Sequence, residues 1–191
     1  MGNATGTAAS QNAGVFTKAE RTALLTRFNK IDSGKQGYLS KRQLLTSLSP
    51  TMACFPLVEN IVDVIIRRRM RNDGTAMVAS KKARKLAQNS VFPADFLVFA
   101  SMFSPKQKQA RKLVVLFEVF DPDGDGYAKE EDVATIFRQL FGTYYDNGQL
   151  EAMTHAVFVQ ADVDADGQLS FREFLRLLSQ TDLAHSLSRL L

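Results

Sequence analysis

The chain has 191 residues, of which 45% are hydrophobic and 23% charged, a composition that suits one globular unit or two small lobes. It contains no run of 18 apolar residues, no signal peptide and only one cysteine, Cys54, so we expect no membrane span, no intramolecular disulfide and a reducing, cytoplasmic location. The formal net charge of +4 is local, because residues 67–85 carry +7 and the remainder of the chain carries −3.

The first part of the chain predicts a tail and three helices. Residues 1–16 are mostly small and polar, which favours a flexible tail that contributes to no core. Thr17 and Glu20 have the spacing of a capping box, in which each side chain accepts a hydrogen bond from the other residue's N–H, so a helix is expected to begin there. Two more helices are predicted at about 40–48 and 56–66.

A basic stretch at about 67–88 interrupts this pattern. It lacks a clean apolar period and contains Asn72-Asp73-Gly74, so we interpret it as an inserted loop or a mobile helical extension. A solvated surface loop, a contact with an anionic membrane surface and a contact with an acidic partner are all open interpretations of its charge. Nucleic acid is disfavoured because no aromatic residue lies between the charges.

The second part of the chain predicts further helices and no central sheet. No alternating apolar pattern is long enough for a sheet, so the predicted class is all-α. The two lobes are expected at 17–104 and 105–180, followed by a short amphipathic segment at 181–191. The helices of this part are expected at about 93–103, 106–120, 130–142, 147–161 and 170–180.

Two twelve-residue segments carry the pattern of an EF-hand calcium loop. Such a loop needs oxygen ligands at positions 1, 3 and 5, a backbone carbonyl at position 7, a carboxylate at position 12 and glycine at the turn in position 6. The predicted ligands of segment 121–132 are Asp121, Asp123, Asp125, the Tyr127 carbonyl and Asp132, with Gly126 at position 6. Those of segment 162–173 are Asp162, Asp164, Asp166, the Gln168 carbonyl and Glu173, with Gly167 at position 6.

The chemistry of calcium explains why such closely spaced carboxylates are present. Calcium is a hard cation that takes six to eight oxygen atoms, whereas without a cation the acidic groups only repel one another. Asp132 is one methylene shorter than Glu173, which is expected to weaken calcium binding and relatively favour magnesium, and Lys129 adds a cation to the same loop. We therefore predict two calcium ions, the tighter one at 162–173, with magnesium as a candidate ion at 121–132.

Two further hands are predicted from the residues that pair one loop with the next. Position 8 of each loop forms a short antiparallel bridge with its partner, and Ala128 and Leu169 fill this position in the two complete loops. Leu39 and Val91 occupy the same place in two earlier segments that have lost most of their acidic ligands. The sequence thus predicts four EF-hands in two paired lobes, with the first two hands degenerate.

Several segments outside the calcium loops resemble the calcineurin B family and the related calcineurin B homologous proteins. The likeness covers roughly residues 17–191 apart from the basic stretch, and the N-terminal Met1-Gly2-Asn3 adds to it. The similar segments are 27–32 at the entry to the first loop, 55–63 before the second hand, and 171–174 with 182–183 near the end of the chain.

The resemblance implies a non-catalytic regulatory subunit that clasps an amphipathic helix of a larger protein in an apolar groove. For calcineurin B that protein is a serine/threonine phosphatase catalytic subunit, and for the homologous proteins it is often a membrane ion exchanger. The two degenerate hands are closer to the homologous proteins. Gly2 is a candidate for N-myristoylation and hence for a peripheral membrane location, although Gly6 stands where the pattern prefers Ser or Thr.

The residues themselves leave other functions open. A calcium buffer that stays closed and a calcium-binding component of a cytoskeletal assembly both fit two complete loops beside two incomplete ones. His155 and His185 are too isolated in sequence for a metal or catalytic site. Because the sequence also lacks a nucleophile–base arrangement, a phosphate loop and zinc-ligand spacing, we expect no enzymatic activity.

Overall fold

A computed structural model describes residues 15–53, 55–72 and 80–180. Most of the predicted tail, Gly2, Cys54, His185 and the amphipathic segment at 181–191 lie outside the described residues. The chain divides into two compact units, Met1–Lys108 and Gln109–Leu191, each with a core of its own.

The first unit contains the first two hands. Helix α1 (Lys18–Ile31) begins with the predicted capping box: the Thr17 hydroxyl accepts a hydrogen bond from the Glu20 N–H at 3.3 Å, and the Glu20 carboxylate accepts one from the Thr17 N–H at 2.8 Å. The other elements of this unit are β1 (Leu39–Ser40), α2 (Lys41–Thr46), the single turn α3 (Pro50–Ala53), α4 (Val58–Asn72), α5 (Lys81–Gln88), β2 (Ser90–Val91) and α6 (Pro93–Met102).

Apolar side chains of α1, α4 and α6 form the core of the first unit. The ring of Phe28 on α1 meets the ring of Phe96 on α6 edge to face, with the centroids 5.6 Å apart. Ile61 and Val64 on α4 are fully buried. Each such side chain contributes about 1.5–3 kcal/mol through burial, which fixes the three helices against one another.

The second unit contains the third and fourth hands, and an aromatic cluster joins its first and last helices. Phe174 packs against both Phe117 and Phe120, with ring centroids 5.3 and 5.4 Å apart. The elements are α7 (Gln109–Phe120), β3 (Tyr127–Lys129), α8 (Glu130–Phe141), α9 (Asn147–Ala161), β4 (Gln168–Ser170) and α10 (Phe171–Gln180).

Each unit joins its two hands through a short antiparallel bridge. Leu39 pairs with Val91, and Ala128 pairs with Leu169, so both predicted position-8 pairs are confirmed. All four side chains are buried, which explains why apolar residues stand at these positions. The helical class with paired EF-hand lobes is likewise confirmed, and the strands of the described residues are limited to the two bridges.

The basic stretch differs from the loop interpretation on both sides of residues 73–79. Its first part continues α4 as far as Asn72, with Met70 buried, and its last part forms α5. The first five positions of the second loop, expected at about 84–95, therefore lie on a helix. The predicted start of α4 at residue 56 is wrong, because the Val58 N–H donates to the Phe55 carbonyl in a turn and the helix begins at Val58.

Candidate metal centres

The loop of the third hand brings three carboxylates together between α7 and β3. Oxygen atoms of Asp121, Asp123 and Asp125 lie within 4.8 Å of one another. Asp121 holds the turn, because it accepts hydrogen bonds from the N–H groups of Gly124 at 2.6 Å and Gly126 at 3.0 Å. Gly126 has a φ of +97°, a left-handed conformation that favours glycine. The loop is therefore arranged for a cation that takes oxygen ligands.

The loop of the fourth hand repeats this arrangement. Oxygen atoms of Asp162, Asp164 and Asp166 lie within 4.8 Å of one another, and Asp162 accepts hydrogen bonds from the N–H groups of Asp166 at 3.2 Å and Gly167 at 3.0 Å. Gly167 has a φ of +78°. Both loops therefore have an aspartate at position 1 that accepts a hydrogen bond from the N–H of a left-handed glycine at position 6.

Glu173, at position 12 of the fourth loop, contacts both sides of that loop. Its Oε1 accepts a hydrogen bond from the Val163 N–H at 2.8 Å, and its Oε2 accepts bonds from the N–H and the hydroxyl of Ser170 at 2.9 and 2.7 Å. Burial raises the pKa of Glu173, but these hydrogen bonds outweigh that effect and hold it below the ordinary value. The side chain is therefore a carboxylate aimed into the loop.

Asp132, at the same position of the third loop, has a shorter reach. Its Oδ2 accepts a hydrogen bond from the Lys129 N–H at 3.2 Å, which caps the start of α8. This contact lies at position 9 of the loop, and position 2 is Pro122, which has no backbone N–H to donate to a position-12 carboxylate. The two loops therefore differ both in the length of the position-12 side chain and in the residue at position 2, which is Val163 in the fourth loop.

Lys129 supplies a positive charge to the third loop. Its Nζ lies 2.6 Å from Oδ2 of Asp123 and 3.3 Å from Oδ2 of Asp125. The hydrogen bond from Lys129 lowers the pKa of Asp123, whereas burial raises the pKa of Asp121. A metal ion that binds through the Oδ2 atoms of Asp123 and Asp125 competes with this lysine.

The two predicted carbonyl ligands stand at the junctions of loops and strands. The Tyr127 N–H donates to Oδ1 of Asp125 at 2.9 Å, and the Gln168 N–H donates to Oδ1 of Asp166 at 2.8 Å. Both residues begin a bridge strand, β3 and β4, which fixes the direction of their peptide groups. The donor set of both loops consists of oxygen atoms only, which fits calcium or magnesium rather than zinc. The individual ligands stay predictions.

The loop of the first hand keeps the turn although it has lost ligands. Asp32 accepts hydrogen bonds from the N–H groups of Gln36 at 3.0 Å and Gly37 at 2.7 Å, and Gly37 has a φ of +79°. Position 3 is Gly34, and position 12 is Gln43, whose amide oxygen caps α2 at the Ser40 N–H. The backbone of this hand is therefore intact, whereas two of its ligand side chains are gone.

The second hand contains a buried ion pair that the sequence does not announce. The charge pattern places Arg69 in an inserted loop or a mobile helical extension, yet its side chain is only 12% exposed and its Nε lies 2.9 Å from Oδ2 of Asp95. The available signal was spacing. Arg69 follows the buried residues Ile61 and Ile65 at steps of four, which places it on the inner face of α4.

His155 belongs to none of the acidic metal clusters found among the described residues. His155 is exposed, and its Nδ1 lies 3.0 Å from Oε1 of Glu130, a surface contact. Among the described residues, no helix combines the length and the apolar character needed to cross a membrane.

Comparisons with known proteins agree with this geometry. A family model described as an EF-hand domain pair matches residues 110–179, which include both complete loops. The chain is 30% identical to calcineurin B of Naegleria gruberi over 173 residues, which cover 91% of this chain and 86% of that protein. It is 27% identical to the human type 2 calcineurin B over 168 residues, or 88% of this chain and 87% of that protein.

A fungal relative gives the same result. Calcineurin B of Kluyveromyces lactis is 27% identical over 173 residues, which cover 91% of this chain and 87% of that protein. The similarity thus extends through both units, including the hands that have lost ligands. With two oxygen-lined loops, two position-8 bridges and this similarity along most of its length, the chain belongs to the calcineurin B family of EF-hand calcium-binding regulatory subunits.

Proposed function

We propose that the chain is a calcium-binding regulatory subunit with two calcium sites, one in each complete loop of the second unit. The observation that carries the proposal is the joining of two acidic loops by the Ala128–Leu169 bridge, because paired loops are the working unit of EF-hand proteins. The tighter site lies in the fourth hand and has a dissociation constant of roughly 10⁻⁷–10⁻⁵ M, the range of sensor loops. The third hand accepts magnesium as well.

Titration calorimetry tests the number and the ranking of the sites. We expect two calcium ions per chain, and a magnesium background that weakens calcium binding mainly at the third hand. A stoichiometry of zero or four would contradict the proposal, because two loops have complete ligand sets and two do not.

The proposed partner is an amphipathic helix of a serine/threonine phosphatase catalytic subunit, to which this chain confers calcium sensitivity without catalysing a reaction itself. Support comes from the family, since the relatives are named as calcineurin subunits of the B type and are matched over 86–87% of their length. The chain therefore has the length needed to form the same kind of subunit.

Reconstitution with a recombinant phosphatase catalytic subunit tests this partner. We expect a stable complex and a phosphatase rate that rises with calcium. In the complex, Glu173→Gln should shift the response to higher calcium, whereas Glu151→Gln, which removes an exposed carboxylate of α9, should not. Failure to form any complex would reject the phosphatase as partner.

A second candidate function is a calcium sensor of a membrane transporter, as in the calcineurin B homologous proteins. The specific observation in its favour is the loss of ligands in both hands of the first unit, at Gly34, Gln43 and the helical start of the second loop. Binding to a helical peptide from the cytoplasmic part of an ion exchanger, in preference to the phosphatase helix, would support it.

A calcium buffer or a component of a cytoskeletal assembly would behave differently from either sensor. A sensor exposes apolar surface when calcium binds, which an apolar fluorescent dye reports, whereas a buffer hardly changes. Calcium binding without a dye response would favour the buffer. Cosedimentation with filaments that is independent of a phosphatase would favour the cytoskeletal function.

We further propose a cytoplasmic location with peripheral attachment to membranes, through myristate on Gly2 and the basic stretch. One acyl chain binds membranes only marginally, so a second signal is required. Two exposed residues of that stretch, Arg71 on α4 and Lys85 on α5, carry positive charges that can contact anionic lipid. Vesicles that contain anionic lipid should bind the acylated chain more tightly than neutral vesicles, and added salt should weaken the difference.

A further inference from the structure

The second hand holds an arginine in the place where a working EF-hand holds its ion. The Leu39–Val91 bridge fixes the numbering of this loop, because Val91 stands at position 8. Ser90 is then position 7, whose backbone carbonyl binds the ion in a working hand. Asp95 is position 12, whose carboxylate does the same.

The guanidinium group of Arg69 contacts both of these groups. Its Nη2 donates to the Ser90 carbonyl at 3.1 Å and to the Ala87 carbonyl at 2.7 Å, and its Nε lies 2.9 Å from Oδ2 of Asp95. Its Cζ atom lies 4.6 Å from the centroid of the Phe92 ring, within the range of a cation–π contact. Four groups of one loop therefore converge on a single cation.

The Arg69 guanidinium is part of the packed interior of the first unit and not a surface charge. The Arg69 and Asp95 side chains are 12% and 5% exposed, so each charge depends on the other for compensation. Asp95 also accepts the Phe92 N–H at 3.0 Å, which caps α6. One ion pair thus connects α4, the end of the loop and the start of α6.

The remaining loop positions do not suit calcium. Positions 1, 3 and 5 are Arg84, Leu86 and Gln88, all on α5, and none is a carboxylate. A single carboxylate is balanced by one guanidinium charge, whereas a divalent ion requires several acidic oxygen ligands. The charge of the loop therefore matches arginine and not calcium.

We propose that Arg69 is a built-in replacement for calcium, holding the second hand and its bridge in the arrangement that a bound ion stabilises in a working hand. The first unit then keeps one arrangement at every calcium concentration, and the calcium response is confined to the second unit. The second statement rests on the proposed calcium sites, whereas the role of Arg69 does not.

Hydrogen–deuterium exchange of the unmodified full chain, with and without calcium, provides the first test. We expect calcium to slow exchange around Ala128 and Leu169 and to leave exchange around Leu39 and Val91 unchanged. An equal response of both bridges would overturn the inference. No response at either bridge would instead reject the proposed calcium sites, so the two failures are distinguishable.

Replacing Arg69 provides the second test. Arg69→Met should speed exchange around Leu39 and Val91 by more than about tenfold, or about 1.4 kcal/mol of local stability. Arg71→Met removes the same charge from an exposed position on the same helix and should leave exchange unchanged. Methylguanidinium at millimolar concentration should restore part of the protection in Arg69→Met, since it supplies the missing cation.

Arg69→Lys keeps the charge but loses the planar set of donors. Its exchange rate around Leu39 and Val91 should therefore lie between those of Arg69→Met and Arg71→Met. If Arg69→Met does not fold, Arg69→Lys replaces it in the exchange measurement. Unchanged exchange around Leu39 and Val91 in both Arg69 variants would overturn the role of Arg69. Methylguanidinium should protect Arg69→Met and not Arg71→Met. Equal protection of both variants would show that it does not act by filling the site left by Arg69, and this result would overturn the inference as well.

Discussion

At the scale of single residues, the position-12 side chain distinguishes the two calcium loops. Glu173 accepts hydrogen bonds from Val163 and Ser170, on both sides of its loop, whereas Asp132 accepts one from the N–H of Lys129 and the third loop has Pro122 at position 2. A side chain that crosses the loop can move the exit helix when an ion binds.

Glu173→Gln should therefore damage calcium binding more than Asp132→Asn. We expect the first substitution to weaken its site by more than about tenfold, or about 1.4 kcal/mol, because one carboxylate oxygen of a bidentate ligand is lost. Site-resolved titration calorimetry of the two single variants measures the difference. Equal losses would contradict the ranking of the two hands.

Lys129→Met should raise the calcium affinity of the third hand. The Nζ group pairs with Asp123 and Asp125, and the ion no longer competes with it after the substitution. Because these side chains are exposed, the gain should be a few-fold at most and should shrink with added salt. Arg176→Met, which removes an exposed cation of α10, is the control and should have little effect.

At the scale of elements, the sequence predicted what depends on short patterns. The two bridges, the capping box of α1 and the loop turns all follow from residues at fixed spacing, and the structure confirms the bridges and the cap. The sequence left a loop and a helical extension open for the basic stretch, and the burial of Arg69 was missed because its charge outweighed the four-residue spacing from Ile61 and Ile65. What decides the place of Arg69 is its contact with Asp95, 26 positions away, and no local pattern reveals such a contact.

The capping box of α1 makes a prediction at this scale. Thr17→Ala removes the hydroxyl that accepts the Glu20 N–H and should destabilise the first unit by about 1 kcal/mol. Thr22→Ala is the matched control, because the Thr22 hydroxyl only donates to the Lys18 carbonyl within the helix and alanine is the better helix former. Chemical denaturation of both variants measures the difference, and equal losses would contradict the role of the cap.

At the scale of the whole molecule, all predicted metal ligands belong to one of the two units. The ten ligands lie between residues 121 and 173, within Gln109–Leu191, whereas the basic stretch belongs to Met1–Lys108. Each unit has its own bridge and its own buried aromatic residues. The division predicts that damage to one unit can leave the chemistry of the other nearly unchanged.

Deleting about residues 68–86 should leave calcium binding at the third and fourth hands nearly intact. The same deletion removes Arg69 and most of α5, so it should destabilise the first unit. Calorimetry for calcium and thermal unfolding for stability separate the two effects. Loss of calcium binding in a folded deletion variant would show that the basic stretch is coupled to the metal centres.

Because the turn of the first hand is intact, substitution of side chains alone should restore a calcium site there. The second hand lacks this property, because Arg69 occupies its loop. Repair of the first loop needs only side chains: Gly34→Asp, Gln36→Asp and Gln43→Glu would supply carboxylates at positions 3, 5 and 12, of which position 5 already has the amide oxygen of Gln36. Space is available at Gly34, because an added Cβ meets only the flexible Gln36 side chain, at 3.4 Å. Calorimetry of this triple variant should find a third calcium ion. The second hand cannot be repaired in this way. Its ligand positions 1, 3 and 5 are part of helix α5, and the guanidinium group of Arg69 pairs with Asp95 at position 12.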